Sequence, residues 1–70
     1  MSYQIDVHYK DGTTGHTEYA EYRRAKEHVN FRLESAEVAA VRITNGMTGK
    51  VRFERATCAI GLRWLGPKGA

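Results

Sequence analysis

Seventy residues with eleven Lys+Arg, eight Asp+Glu and a net charge of +3 define one small domain, since a chain this short buries only about 60% of its unfolded surface. The single thiol, Cys58, excludes an internal disulfide and a cysteine-based zinc cluster and fits a reducing cytoplasm. A pI near 9.3, with arginine the commoner cation, admits phosphate or carboxylate partners held by bidentate contacts.

In "MSYQIDVHYK", Asp6 and Lys10 interrupt the apolar residues, so the stretch does not read as a signal peptide, and no run elsewhere is long enough to span a membrane. Tyr3, Ile5, Val7 and Tyr9 alternate with Gln4, Asp6, His8 and Lys10, which predicts a strand with one buried and one wet face. Asp11-Gly12 predicts a two-residue hairpin turn, and "TGHTEY" a short second strand with His16 opposite Val7.

Residues 21–34 change period. Tyr22, Ala25, Val29 and Leu33 form one helical stripe, with Arg23 and Arg24 placed to pair with Glu27. Phe31 falls opposite that stripe, beside Arg24, Glu27 and His28. Two readings follow: the helix ends near Asn30 and Phe31 folds inward, which is favoured, or Phe31 is an exposed contact residue. "VAAVRIT" returns to strand with Ala39, Val41 and Ile43 inward. Asn45-Gly46 predicts a second hairpin, and "KVRFER" pairs back with Val51 and Phe53 inward.

The predicted fold is α+β over residues 1–56: a three- to four-stranded antiparallel or mixed sheet in the order β-β-α-β-β, with one helix packed on one face. The other face stays wet and carries Arg42, Lys50 and Arg52 beside Gln4, Asp6, His8, Lys10, Thr44 and Glu54. In residues 57–70, Ile60, Leu62 and Trp64 alternate. They form either an extra edge strand or an apolar arm that docks on another chain and makes a homodimer through residues 57–65; residues 66–69 read as a disordered end.

"NGMTGKV" has the look of a phosphate loop and fails as one. Thr44 stands where the first glycine belongs, Val51 replaces the Mg²⁺-ligating Ser/Thr, and a strand follows instead of a helix. His8, His16, His28 and Cys58 lack metal-ligand spacing. Asp6 and His8 share a strand face without a nucleophile beside them, so no catalytic residue, cofactor or metal is expected. The candidate contacts are Arg42, Lys50, Arg52, Arg55, Arg23 and Arg24, for phosphate or a partner, together with Phe31 and Trp64 as aromatic anchors. The outward sheet positions hold no aromatic on which bases could stack.

The tyrosine-bearing first strand, "KDGT", "RRAKEHV", "VRIT", "NG" and "VRF" resemble, over residues 3–55, the layout of small sheet-plus-one-helix proteins of phages and mobile elements, some anti-CRISPR proteins among them. The resemblance is one of architecture and assigns no functional residue. It implies a non-enzymatic inhibitor or modulator that contacts a larger host protein or ribonucleoprotein complex. The other function class that the residues support is a nonspecific nucleic-acid-binding module that holds phosphates through a basic sheet face.

Overall fold

The computed structural model describes residues 2–66. The first alternating stretch forms β1 (Tyr3–Tyr9), and the chain returns as β2 (Thr14–Tyr19). Their turn is longer than the two-residue form expected from Asp11-Gly12. Tyr9 N–H donates to Thr13 O at 2.9 Å and Gly12 N–H to Tyr9 O at 3.0 Å, so residues 10–12 form the loop and Gly12 takes φ +94°. This is the arrangement of a type I turn followed by a left-handed residue. Asp11 Oδ1 fixes it by accepting from the Thr13 hydroxyl at 2.7 Å and from Thr13 N–H at 2.9 Å. Those two bonds hold the Asp11 carboxyl below its usual range. One extra loop residue shifts the register by one and exchanges the faces of the returning strand. Asp6, not Val7, therefore stands opposite His16.

Helix α1 (Tyr22–Leu33) follows and buries Ala25 and Val29, with Tyr22 and Leu33 packed at the margin, as the stripe predicts. Arg24 pairs with Glu21 at 3.2 Å, at the start of the helix. The helix continues past Asn30, so Phe31 does not fold inward. It stays opposite the buried stripe and is 68% exposed.

Strands β3 (Val38–Asn45) and β4 (Val51–Ala56) complete an antiparallel sheet in the order β2-β1-β3-β4. Ile5, Val7, Val41 and Ile43 meet Ala25 and Val29 in the core. Two irregularities reset the expected faces. Between the pairs His8–Ala40 and Tyr9–Val38, β3 carries one extra residue, so Val38 joins the core cluster in place of Ala39. Between Ile43–Phe53 and Thr44–Val51, Arg52 is the extra residue in β4. Val51 consequently faces outward with Thr44 and is 47% exposed, a correction to its predicted inward position. The loop over residues 46–49 closes with Asn45 N–H on Lys50 O at 2.8 Å. Gly49, not Gly46, takes positive φ there, while Asn45 Oδ1 accepts from the N–H groups of Met47 and Thr48.

The largest departure is the second face of the sheet. Residues predicted to form a strand or arm make a seven-residue helix, α2 (Ala59–Leu65), which covers part of the face expected to be wet. Gly61 is buried against Ala39 and Ala40, and the absence of a side chain there lets helix and strand backbones touch. The Thr57 hydroxyl donates to Val38 O at 2.6 Å, and the Trp64 ring stacks on His8 with centroids 5.1 Å apart. Trp64 is thus half-buried on its own chain's sheet. The disordered end expected over residues 66–69 lies, from residue 67 onward, outside the described residues. Among the described residues, no helix is long and apolar enough to cross a membrane.

Candidate binding face between α1 and β4

The bulge at Arg52 decides where the charge goes. A regular strand would aim Arg52 at the α2 side; instead its guanidinium lies 5.0 Å from the Tyr22 ring centroid and 5.9 Å from that of Tyr3, on the α1 side. Tyr3 and Tyr22 meet edge-to-face at 5.5 Å beneath it. Next along β4, Phe53 receives Lys26 Nζ at 4.4 Å from its centroid. Arg55 stands opposite the core residue Val41 and so shares this side of the sheet. Arg23 precedes Lys26 by three positions, which places it on the same margin of α1.

Arg23, Lys26, Arg52 and Arg55 thus line the seam between α1 and β4, and none of them joins an ion pair among the described residues. Two are seated on aromatic rings, which fixes their heads without neutralising them. Arg23, Arg24 and Arg32 being on one helix, the sequence shows a charged helix; it does not show that β4 turns two arginines toward it.

The other predicted contacts separate. Arg42 is not a free cation: its Nε pairs with Glu54 at 3.2 Å, its Nη2 donates to Leu65 O at 3.0 Å, and its Cζ lies 5.2 Å from the Trp64 ring centroid. It fastens α2 to the sheet. Lys50 is exposed at the end of the β3–β4 loop. Arg24 is engaged with Glu21, and Phe31 sits on the solvent side of α1, where Arg32 lies 5.9 Å from its ring centroid.

Comparison with protein-family models, curated proteins and solved structures found no match to this chain. The remaining geometry therefore rests on its own chemistry.

On the α2 side, the part of the sheet near β2 is acidic. His16 Nδ1 lies 3.0 Å from Asp6 Oδ1, and its Nε2 lies 3.5 Å from Glu18 Oε2. Asp6 therefore orients His16 and not His8, whose ring is taken up by Trp64 and whose Nδ1 is buried with no hydrogen-bond partner among the described residues. Among the described residues, no group of three His, Cys, Asp or Glu side chains is placed to hold a metal ion. An open cleft of about 540 Å³ lies between the β1–β2 turn and the end of α1, lined by Tyr9, Lys10, Asp11, Arg32 and Glu37. Its charges are mixed, and Asp11 is already committed to Thr13.

The histidines give a test of these environments. The hydrogen bond that Asp6 accepts from the His16 ring, then the one that Glu18 accepts, raises the His16 pKa above 6.5. Burial, then the Arg32 charge, lowers that of His28, which lies 3.1 Å from the Tyr19 hydroxyl and accepts from Arg32 Nε at 3.4 Å. An NMR pH titration should place the His16 midpoint above, and the His28 midpoint below, the ordinary value of 6.5. By linkage, the His16 contribution to stability is present below its unfolded pKa and is lost as pH rises through the folded one. The His28 contribution is present above its unfolded pKa and is lost as pH falls through the folded one. Asp6→Asn should bring the His16 midpoint down. An unmoved His16 midpoint would contradict the observed strand register.

Proposed function

We propose that this protein is a non-enzymatic binding module of the inhibitor or adaptor kind, which docks an acidic partner protein on its α1–β4 face. The observation that carries the reading is the row Arg23, Lys26, Arg52 and Arg55, unmatched by carboxylates among the described residues and partly held in place by Tyr22 and Phe53. Seated cations lose little freedom on meeting an anion, which favours a specific contact over diffuse attraction. A protein partner is preferred to a nucleic acid because the rings on this face already carry the chain's own cations, which a stacking base would have to displace. The resemblance in layout to small phage-type modulators is consistent with a partner that belongs to a larger host complex.

The test is an NMR titration at low salt with polyglutamate. Signals of Arg23, Lys26, Arg52 and Arg55 should move before those of Asp6 and Glu18. An Arg23→Glu, Arg55→Glu double variant should bind about tenfold more weakly. Shifts spread evenly over the surface, or full affinity in the double variant, would overturn this assignment.

A further inference from the structure

The open cleft of about 540 Å³ between the β1–β2 turn and the end of α1 contains none of the α1–β4 cations. Its size is that of a small-molecule site, about 300–1,000 Å³. Hydrogen bonds to the backbone hold both of its walls. In the turn, Tyr9 N–H donates to Thr13 O at 2.9 Å and Gly12 N–H to Tyr9 O at 3.0 Å. In the segment from α1 to β3, Ser35 N–H donates to Arg32 O at 3.0 Å and Glu37 N–H to Ser35 Oγ at 3.3 Å. Lys10 N–H donates to Glu37 O at 2.8 Å and joins the two walls. Each wall carries one cation and one carboxylate: Lys10 with Asp11, and Arg32 with Glu37. None of these four joins an ion pair among the described residues. Asp11 is held by Thr13. Arg32 Nε donates to His28 at 3.4 Å, which leaves its two terminal nitrogens without partners among the described residues. Tyr9, packed against the core cluster, and Ala36 add apolar lining.

We infer that this cleft binds a free aromatic α-amino acid, with its carboxylate on Arg32 and Lys10, its ammonium on Glu37 and its ring along Tyr9. The site stands apart from the acidic-partner face and does not depend on it. Opposite charges that line one cleft without closing on each other keep their water, and a ligand must replace that water on both signs at once. A simple anion would leave Glu37 beside it unpaired, and a simple cation would meet Lys10 and Arg32. A zwitterion with its two charges on neighbouring atoms satisfies both. The terminal nitrogens of a guanidinium offer parallel donors that match a carboxylate. The Tyr9 ring favours an aromatic side chain, which gains from offset or edge-to-face contact beyond the area it buries. Residues inside a polypeptide carry neither the free ammonium nor the free carboxylate, so a segment of a protein partner is a poor occupant.

The experiment adds L-phenylalanine at millimolar concentration to the full chain and follows the amide signals by NMR. N-acetyl-L-phenylalanine, which lacks the ammonium, and L-phenylalanine amide, which lacks the carboxylate, are the controls. Signals of Lys10, Ser35 and Glu37 should move with the free amino acid, while those of Arg52 and Arg55 stay in place. Each control should bind about tenfold more weakly, because it leaves one charged wall group without its partner. Arg32→Gln and Glu37→Gln should weaken binding of the free amino acid by a similar factor. Glu37 is exposed and outside any ion pair among the described residues, so its variant keeps the fold. The Arg32 charge lowers the His28 pKa, so a carboxylate seated on Arg32 should raise the His28 midpoint. No response of the cleft residues, or equal binding of either control, would overturn the assignment. A His28 midpoint unmoved by the bound amino acid would place the carboxylate away from Arg32 and overturn it as well.

Discussion

Ile43→Ala should destabilise the protein by about 3 kcal/mol, with a corresponding fall in the urea midpoint followed by circular dichroism. Ile43 is fully buried, pairs with Ile5 on one side and Phe53 on the other, and lies in the cluster formed under Val29 and Ala25. Truncation there removes three methyl or methylene groups from a site with neighbours in both sheet directions and in the helix above, so little relaxation can fill the gap. A chain of this length is stable by roughly 4–10 kcal/mol in total. The loss is therefore a large fraction of the whole. A cost below about 1 kcal/mol would show that this region is not closely packed.

Gly61→Ala should also destabilise, by about 2–3 kcal/mol, although alanine is the better helix former by about 1 kcal/mol. The added Cβ would overlap the Ala39 carbonyl oxygen and come within 2.7 Å of its carbon and 3.1 Å of Ala40 Cβ. The obstruction is mostly backbone, so no rotamer change relieves it and α2 must move off the sheet. Trp64 would leave His8, and its fluorescence should shift toward that of a solvated indole. Unchanged Trp64 emission with equal or greater stability would show that α2 does not dock as described.

Much of the scaffold is legible in the chain because it follows from periodicity. The alternation from Tyr3 to Tyr9, the stripe from Tyr22 to Leu33 and the "VRIT" and "VRF" segments give three of the four strands and α1, and the Asp11-Gly12 turn gives β2. The features that were not legible are single-residue insertions. Asp11-Gly12 fits a two- or a three-residue loop equally well, and the choice moves His16 across the sheet. The extra residues at Ala39 and Arg52 depend on how β3 meets its neighbours, which no local pattern records. In α2, Ile60, Leu62 and Trp64 alternate as a strand would, while Ile60 with Trp64 and Leu62 with Leu65 have helical spacing; in so short a stretch the two periods cannot be told apart. The candidate face inherits these limits. Arg55, Arg23 and Arg52 could be named as cations, but Arg42 could not be recognised as the residue that ties α2 down.

The central pairing of β1 with β3 joins Ile5 to Ile43 across about half the chain, whereas both hairpins and α1 are local in sequence. Closing that long loop must precede the reward of the contact, so it sets the barrier to folding. α2 belongs to the end of the chain and can dock only after Ala39 and Ala40 are in place in the finished sheet. The two substitutions above should then separate in stopped-flow measurements: Ile43→Ala slows folding, while Gly61→Ala leaves folding nearly unchanged and speeds unfolding. Assembly would thus run from the middle strands outward, with the second helix as the last piece on and the first to leave.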